Sequence, residues 1–315
     1  MTESKPKIIT VCGPTASGKS QLGVELALKY GGEIVSADSM QIYKGMDIAS
    51  AKPPQAEMKG VPHHLMSIID RDKTFSAADY VSLAHKKIRE ILERGRLPII
   101  VGGTGLYIDS LLNNVNFTEM KSDENYRREL YDFAEKFGNE ALYRRLLDKD
   151  PEAAELIHMN NLVRVVRALE VIHVSGRKFS ELKNESRRVE SPYSPIIIGL
   201  NAADRSVLYD RINRRVDEMV EMGLVEEARE LWLSEPMKTA ANAIGYKELI
   251  PYFENEASLG ECIDKIKQET RRYAKRQLTW FRRNDSIEWV TIDNFSKKCE
   301  IFEKSEKAIA KYGII

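Results

Sequence analysis

Eight residues near the start of the chain have the types and spacing of a phosphate-binding loop. They match the pattern G-x-x-x-x-G-K-[ST] at every defined position and run Gly13, Pro14, Thr15, Ala16, Ser17, Gly18, Lys19, Ser20. The glycines let the backbone turn so that N–H groups face an anion, and the N-terminus of a following helix adds its positive dipole end. In such a loop Lys19 reaches the outer phosphate and Ser20 can hold Mg²⁺. The sequence therefore predicts a polyphosphate site.

The strand predicted at Pro98–Val101 ends in glycine where an ATP-hydrolysing enzyme would have an acid. Such enzymes use that acid to help hold Mg²⁺, whereas this chain continues with Gly102-Gly103-Thr104-Gly105. Glycines at the carboxyl end of a strand allow a substrate to approach closely, and Thr104 adds a hydroxyl at that crevice. A plain turn would use the same residues. The run weakens an ATPase interpretation.

A carboxylate follows the second predicted strand. The segment reads Ser36-Ala37-Asp38-Ser39-Met40-Gln41. Because the carboxyl ends of parallel strands meet at one edge of a sheet, Asp38 is expected beside the phosphate loop, where it is a candidate general base. Coordination of Mg²⁺ through water and capping of a helix are the alternatives.

Two arginines in the C-terminal part have the spacing of a diphosphate clamp. Arg211 and Arg215 are four residues apart on a predicted helix and therefore share a face, with Arg214 adjacent. Planar guanidinium groups bind phosphate oxygens in pairs and neutralise charge that builds on a leaving diphosphate. The alternative is a solvated face whose arginines pair with Asp210, Asp217 and Glu218.

A strongly basic helix is predicted farther on. Residues 270–283 hold six basic residues and no acid. Basic and polar groups recur there at helical spacing, at Arg272, Lys275, Arg276, Thr279 and Arg283, while Tyr273, Gln277 and Trp280 offer groups that can stack on or hydrogen-bond to bases. Such a stripe is typical of a surface that binds structured RNA, and a merely solvated amphipathic face is the alternative.

The elements that must position these residues alternate between strands and helices. Apolar runs bounded by turns predict strands at residues 8–12, 33–36, 98–101, 196–200 and 288–292. Helices are predicted from Gln21 to Tyr30, from about Asp204 to Met222, and from the capping box Ser258-Leu259-Gly260-Glu261 to about Arg283. This alternation is typical of a parallel sheet covered by helices on both faces.

The region from about Ser122 to Arg188 breaks the alternation, because it shows helical periodicity and no convincing strand. Ser122 is a predicted N-cap with Asp123 and Glu124 in the first turn, and Asp150-Pro151 predicts a second helix start. We therefore predict an α/β fold: a P-loop NTPase-like parallel sheet core covered by helices, with an inserted all-helical domain. The predicted bounds are 1–117 and 193–315 for the core and 118–192 for the insertion; the alternative is one domain in which these helices pack on the sheet.

Composition excludes several classes of protein. The 315 residues carry 48 Lys and Arg against 48 Asp and Glu, so a nucleic-acid partner would have to meet a local basic patch. No apolar run is long enough for a membrane span or a secretory signal, which predicts a cytoplasmic protein. Cys12, Cys262 and Cys299 are widely separated, so they are interpreted as reduced thiols with no zinc site.

Several stretches, in this order, match one family. They are GPTASGKS at Gly13, ADSMQIYKGMDIASAKP from Ala37, PHHL around His63 and His64, VGGTGLY from Val101, RALEVI from Arg167, AIGYKEL from Ala243 and TRRYAKRQLTWFR from Thr270. Over nearly its full length the chain resembles the bacterial tRNA dimethylallyltransferases, also called tRNA isopentenyltransferases. His63 and His64 belong to the resemblance and are interpreted as structural, because no metal partner lies at ligand spacing.

The resemblance implies transfer of a dimethylallyl group from dimethylallyl diphosphate to N6 of adenine 37 in tRNA, next to the anticodon. It implies catalytic roles for Asp38 as base, Thr104 and Arg215, diphosphate binding by residues 13–20 and Arg215, and Mg²⁺ on Ser20. The insertion would bind the anticodon stem. The tRNA-binding set it implies is Asp38, Ser39, Met40, Gln41, Thr104, Arg127, Val163, Arg164, Val165, Val166, Arg167, Arg272, Lys275, Arg276 and Gln277.

One departure and three competing functions accompany the resemblance. Many members of the family have Gln-Arg before RALE, whereas this chain has Val163-Arg164. The competing functions are an adenylate isopentenyltransferase acting on free AMP, ADP or ATP, a small-metabolite kinase using ATP, and a noncatalytic RNA-binding protein. The long insertion and the basic helix disfavour the first, since a free nucleotide needs neither. The chain is expected to act as a monomer.

Overall fold

A computed structural model describes residues 5–115, 123–186, 190–234, 239–294 and 298–313. Two compact units make up the chain: Met1–Leu112 with Pro192–Ile315, called the core unit here, and Asn113–Ser191, called the helical unit. The predicted bounds of the insertion, 118 and 192, stay a prediction of domain organisation. Ser122 and Arg188 lie outside the described residues.

The core unit is built on a six-stranded sheet of order β3-β2-β4-β1-β5-β6, in which every neighbouring pair is parallel. Its strands are β1 (Lys7–Cys12), β2 (Gly32–Ser36), β3 (His63–His64), β4 (Leu97–Gly102), β5 (Ser194–Asn201) and β6 (Ile287–Thr291). The five predicted strands are all found. The edge strand β3 was missed because two residues carry no readable alternation of apolar and polar side chains.

Helices cover the sheet and form the whole described secondary structure of the helical unit. In the core unit these are α1 (Lys19–Tyr30), α2 (Gln55–Met58), α3 (Ala77–Glu93) and α4 (Gly105–Leu112). The helical unit contains α5 (Glu124–Phe137), α6 (Asn139–Lys149), α7 (Pro151–Leu156), α8 (Leu162–Ser175) and α9 (Phe179–Ser186). The core unit continues with α10 (Arg205–Glu221), α11 (Leu224–Trp232), α12 (Ile250–Phe253), α13 (Leu259–Phe281) and α14 (Lys298–Ala310). Short 3-10 helices lie at Thr239–Asn242, Lys247–Leu249 and Ile292–Asn294. The predicted α/β class with a helical insertion is confirmed.

The central strands are apolar on both faces because helices bury both. Ile9 and Val11 of β1 and Ile198 of β5 are fully buried and pack with Leu26 of α1 and Ile212 of α10. Near-continuous apolar strands of this kind are characteristic of parallel sheets. The packing holds the carboxyl edge of the sheet, where β1, β2, β4 and β5 end, as a rigid platform.

Local sequence signals fix where several helices begin. Ser258 and Glu261 form the predicted capping box of α13, and Asp150 caps α7 by accepting from Ala153 N at 3.1 Å. One assignment was wrong by a residue. Asp123 is itself the N-cap of α5, accepting from Tyr126 N at 2.9 Å, and does not lie in the first turn.

In the described part of the chain, no helix is both long enough and apolar enough to span a bilayer. Cys12 and Cys262 are buried free thiols, in agreement with the sequence interpretation.

Candidate active site at the carboxyl edge of the sheet

The phosphate loop joins β1 to α1. Gly13 has φ of +140°, and a Cβ there would lie 2.4 Å from Leu200 O, so no side chain fits. Gly18, the N-cap of α1, has φ of +96°. Among the described residues no side chain caps the first turn of α1. Its N–H groups and the helix dipole are therefore available to an anion, as the sequence pattern predicts.

Lys19 lies over this loop as a partly desolvated cation. Its Nζ donates to Pro14 O at 2.6 Å. Burial and the nearby Arg215 cation lower the pKa of Lys19 to about 8, while the Asp38 carboxylate acts in the opposite direction. Desolvation penalises the charged ammonium, and a bound anion would relieve that penalty. Lys19 is thus poised to gain charge stabilisation when a diphosphate binds.

Arg211 and Arg215 face the phosphate loop and the cavity beside it. Arg211 Nε donates to Ala16 O at 2.9 Å, and an Arg215 terminal nitrogen lies 3.5 Å from Ala51 O. Burial lowers the pKa of Arg215, and the Asp38 carboxylate opposes this. Arginine remains charged nonetheless. The pair provides two fixed cations beside the loop, the arrangement expected of a diphosphate clamp.

Asp38 lies at the end of β2 with its carboxylate oriented by the backbone. Its Oδ1 accepts from Met40 N at 2.9 Å and from Gln41 N at 3.4 Å, forming a local turn. Within the described residues no hydrogen bond is made by Oδ2, which leaves that oxygen for a ligand. The carboxylate is close enough to Lys19 and Arg215 to influence both electrostatically. Asp38 therefore combines an available acceptor oxygen with a position beside the cations.

Thr104 holds the Asp38 segment in place. Its Oγ1 accepts from Ser39 N at 3.0 Å, and its own N–H donates to Ala37 O at 3.1 Å. The Tyr273 hydroxyl is hydrogen-bonded to the same side chain. The predicted contact between Thr104 and a nucleotide stays a prediction, whereas its structural contact with the Asp38 segment is clear.

Gln277 spans the loops after β1 and β4. Its Oε1 accepts from Thr15 N at 2.9 Å and its Nε2 donates to Gly103 O at 2.9 Å. A Cβ on Gly103 would lie 2.1 Å from Gln277 Nε2, which explains the glycine. The side chain is 5% exposed, both amide atoms bind the backbone, and it lines the first cavity, so that Gln277 contacts tRNA stays a prediction.

Two other residues proposed for base contact also face inward. Trp280 Nε1 donates to Asp109 Oδ2 at 2.7 Å, and its ring lies against Gly105. Tyr273 binds Thr104 and Gln277 and lines the cavity described next. The inner face of α13 therefore supports the site, where Tyr273 and Gln277 line the first cavity, and its outer face is exposed.

Two cavities of the core unit meet at the phosphate loop. The first, of about 330 Å³, is lined by Asp38, Met40, Tyr273 and Gln277 among others. The second, of about 1800 Å³, extends past α2 and the outer side of α10. Both are lined by Ala16, Lys19, Ser20, Ala51, Pro53, His63, Met66, Arg215 and Met219. An anion at the loop would therefore be reachable from two sides.

The outer face of α13 is basic, as predicted. Arg272, Lys275, Arg276, Thr279 and Arg283 are all exposed. Arg272 pairs with Glu269 at 2.6 Å, and Arg276 also lines the first cavity. This face provides cations that a polyanion could reach beside the cavity.

In the helical unit, the predicted tRNA residues divide into exposed and buried ones. Val163 is 67% exposed, and Arg164 is exposed. Val165 and Val166 are each 1% exposed and pack in the core of this unit with Leu130, Leu142, Leu146 and Leu169. Helical periodicity turns these two side chains inward, and that the stretch 163–167 contacts tRNA stays a prediction.

Arg127 and Arg167 converge on one buried carboxylate. Arg127 lies 2.9 Å and Arg167 2.7 Å from the two oxygens of Glu170, whose side chain is fully buried. Burial raises the pKa of Glu170, but the hydrogen bonds from both arginines outweigh it and hold the pKa below its usual range. The shared carboxylate fixes the two guanidinium groups at the surface of the unit.

The two histidines of the PHHL stretch have structural partners. His64 Nε2 lies 2.7 Å from Glu33 Oε2, and His63 Nδ1 lies 2.8 Å from Val61 O. Burial lowers the pKa of His63. In the described residues no group of three His, Cys, Asp or Glu side chains could hold a metal ion. A metal at this site would have to rely on Ser20, Asp38 and the ligand's own oxygens.

One residue of the site region has no signal in the sequence. Glu227 of α11 accepts hydrogen bonds from three consecutive backbone N–H groups of the segment 47–49. The partners are separated by about 180 positions along the chain. A glutamate on an amphipathic helix looks like any solvated residue until the fold brings this segment to it.

Known proteins are similar to this chain over nearly its whole length. The family model described as IPP transferase matches residues 41–284. A tRNA dimethylallyltransferase of Geobacillus thermodenitrificans is 51% identical over 305 residues, with 95% of each chain covered, and one of Thermoanaerobacter sp. (strain X514) is 47% identical over 309 residues, with 97% of each covered.

Solved structures match over the same extent. The full-length tRNA isopentenylpyrophosphate transferase of Bacillus halodurans matches with a TM-score of 0.71 and 44% identity, covering 98% of this chain and 99% of that one. A eukaryotic dimethylallyltransferase acting on tRNA matches with a TM-score of 0.80 and 30% identity, covering 97% of this chain and 78% of that one. The chain therefore belongs to the IPP transferase family.

Proposed function

We propose that this protein transfers a dimethylallyl group from dimethylallyl diphosphate to N6 of adenine 37 in tRNA and releases diphosphate. The single observation that carries the proposal is the shared cavity at the sheet edge. There Lys19 and Arg215 provide positive charge beside the phosphate loop, and Asp38 provides a carboxylate in the same space. Relatives named tRNA dimethylallyltransferase support the choice of donor and acceptor.

In the proposed reaction the bond between C1 of the dimethylallyl group and the diphosphate oxygen breaks, and the diphosphate leaves with the electron pair. The phosphate loop, Lys19 and Arg215 stabilise the negative charge that builds on it. Adenine N6 forms the new bond to C1. Its proton passes to the Asp38 carboxylate, which makes the weakly nucleophilic amine competent as the bond forms.

Mg²⁺ is the proposed cofactor, and the residues present fit the way this ion binds. Magnesium is usually held by one or two protein oxygens together with substrate phosphates and water. Ser20 lines both cavities beside the loop, and Asp38 lines the first. When bound, the ion would supply further charge neutralisation to the departing diphosphate.

The proposed acceptor is tRNA because the basic face of α13 offers more than a free nucleotide needs. Lys275, Arg276 and Arg272 are exposed on that face, and Arg164 and Val163 are exposed in the helical unit. We propose that these surfaces bind the anticodon stem-loop, with the target adenine swung out of its stack into the first cavity. The segment Asp38–Gln41 would contact that base.

We propose that the monomer is the acting species. The proposed acceptor makes the cytoplasm the proposed place of action, since tRNA matures there.

The test of this function is a substrate panel. The protein is incubated with dimethylallyl diphosphate labelled in the dimethylallyl group and, in separate reactions, with unmodified tRNA, AMP or ATP. Label in tRNA alone is the expected result. Label in AMP or ATP would favour an adenylate isopentenyltransferase, and phosphoryl transfer from ATP without label transfer would favour a kinase; either result would contradict the proposal.

A further inference from the structure

A single carboxylate gathers three consecutive backbone N–H groups next to the candidate active site. Glu227 Oε2 accepts from Asp47 N at 2.8 Å and from Ile48 N at 2.9 Å, and its Oε1 accepts from Ala49 N at 3.1 Å. The Tyr246 hydroxyl donates to Oε1 at 2.7 Å. Hydrogen bonds to a charged acceptor are the strong kind. Glu227 therefore fixes the conformation of this backbone segment.

The segment 47–49, which Glu227 binds, continues directly into the wall of the first cavity. Ala49, Ser50 and Ala51 all line that cavity. The Ala51 carbonyl faces a terminal nitrogen of Arg215 at 3.5 Å and Gln41 Nε2 at 3.3 Å. The segment 47–51 thus touches one cation of the proposed diphosphate site and one residue of the Asp38–Gln41 segment.

Other contacts hold the same segment against the AIGYKEL stretch. A Cβ on Gly245, which has φ of +110°, would lie 3.1 Å from Ala49 Cβ, so the two backbones approach closely. At the other end of the segment, Lys52 Nζ donates to Ser67 Oγ at 2.7 Å and is paired with Asp47 at 2.7 Å. The segment is therefore held by contacts at Asp47 and Ala49 besides those of Glu227, which links it to α11.

We propose that Glu227 is a positioning residue for the donor site: by fixing the backbone of residues 47–49 it places the Ala51 carbonyl, which in turn orients Arg215 toward the phosphate loop. This inference rests on the proposed function, because it assigns Arg215 to the diphosphate of the donor. Tyr246, in the AIGYKEL stretch, holds Glu227 in place through its hydroxyl. Neither residue touches the reacting atoms in this account.

A carboxylate suits position 227 because the groups around it are hydrogen-bond donors. Four donors converge on Glu227, and a carboxylate has only acceptor positions on both oxygens. The substitution Glu227→Gln would aim an NH₂ group at one or two of those donors and lose their hydrogen bonds. The side chain would keep nearly the same size, so the cavity wall would shift without being emptied.

The experiment compares Glu227→Gln with Glu230→Gln, an exposed glutamate one turn along α11. For each variant, KM for dimethylallyl diphosphate, kcat, the Kd for tRNA and the thermal midpoint are measured. Glu227→Gln is expected to raise the donor KM about 10- to 100-fold, the range for losing one or two charge-assisted hydrogen bonds, with an unchanged tRNA Kd. Glu230→Gln is expected to match the wild type.

A double-mutant cycle with Arg215→Ala identifies the route of the effect. If Glu227 acts through Arg215, adding Glu227→Gln to Arg215→Ala should raise the donor KM by less than about threefold, because coupled sites are not additive. Full additivity would overturn the proposed route. A wild-type donor KM in Glu227→Gln would overturn the assignment altogether.

A second variant covers the case in which Glu227→Gln fails to fold. Tyr246→Phe removes one donor to Glu227 and leaves the three backbone N–H groups. It is expected to raise the donor KM about two- to fivefold with the same tRNA Kd, and an unchanged donor KM would refute the inference. Failure of the proposed function itself would be recognised separately, as a wild-type protein that transfers no dimethylallyl group to tRNA.

Discussion

The affinity of the protein for dimethylallyl diphosphate should fall steeply above pH 8, and Lys19 should be the cause. Its pKa is lowered to about 8, chiefly by burial, so the ligand-free site loses its ammonium charge from that pH upward. A bound diphosphate favours the charged form and raises the pKa. Binding must therefore be accompanied by protonation of Lys19 whenever the pH exceeds the lowered value.

The magnitude follows from the pKa. About half of the ligand-free molecules carry a charged Lys19 at pH 8, and about a tenth do at pH 9, so the donor Kd should rise about tenfold per pH unit above 8.5. At pH 8 each binding event should take up about half a proton. The donor's own phosphate groups are expected to be ionised in this range, since the second pKa of a phosphate monoester is about 6.

Isothermal titration calorimetry in two buffers of different ionisation enthalpy measures both the Kd and the proton uptake. Lys19→Arg is the matched control, because arginine keeps its charge throughout the range. Its donor Kd is expected to be weaker than that of the wild type at pH 7 but nearly constant from pH 7 to 9.5. Burial raises the pKa of Cys12 to about 12 and lowers that of His63, so neither of these neighbouring groups is expected to titrate there.

A wild-type Kd that stays constant to pH 9.5, with no proton uptake at pH 8, would refute the reasoning, because it would mean that Lys19 is charged in the free site at every pH tested. An equal fall in Lys19→Arg would assign the titration to another group.

Three further predictions concern the geometry around Lys19. Gly103→Ala should raise the donor KM about tenfold, because a Cβ 2.1 Å from Gln277 Nε2 would displace the side chain that holds Thr15 N. Steady-state kinetics at saturating tRNA measures this KM. An unchanged value would show that the Gln277 contact is dispensable. Arg215→Ala should reduce kcat/KM for the donor about 100-fold with little change in tRNA Kd, and an unchanged rate at subsaturating donor would remove Arg215 from the diphosphate site. Replacing Lys275 and Arg276 together by Gln should weaken tRNA binding and make the slope of log K for tRNA association against log salt shallower by about 2. A slope equal to that of the wild type would mean that the outer face of α13 is solvated and does not bind tRNA.

Sequence patterns located the chemistry where local spacing determines it. The phosphate loop depends on eight consecutive residues, and its turn is fixed by glycines at positions where a Cβ would collide, as at Gly13. Asp38 could be placed because a parallel sheet brings the ends of its strands to one edge. The strands themselves were readable because helices cover both faces and make them continuously apolar.

Sequence patterns could not orient side chains where the fold decides which side of a helix is outside. Gln277 and Trp280 lie in a basic stretch and looked like ligands for bases, but they face Gly103 and Asp109 inside the core unit. Val165 and Val166 lie in the stretch before RALE, yet they form the core of the helical unit. Helical periodicity gives the spacing of a face without telling which face the rest of the chain will cover.

The hydrogen bonds of Glu227 could not be predicted from a sequence pattern, because its partners are backbone N–H groups. Those groups belong to residues 47–49, whose side chains carry no mark of the contact. Only the juxtaposition of α11 with that segment shows it. Interactions of side chains with distant backbone are therefore the part of a site that spacing rules leave out.

The most direct test of the central claim is the rate of the chemical step in Asp38→Asn. Asparagine keeps an oxygen that can accept from Met40 N, so the local turn survives, but it cannot take a proton from adenine N6. Single-turnover transfer of labelled dimethylallyl to an anticodon stem-loop, at saturating donor and RNA, is expected to slow by about 10² to 10⁴-fold while the Kd for the RNA stays within about twofold of the wild type. Transfer at the wild-type rate would contradict the account, because the carboxylate beside the phosphate loop would then have no part in making the amine reactive.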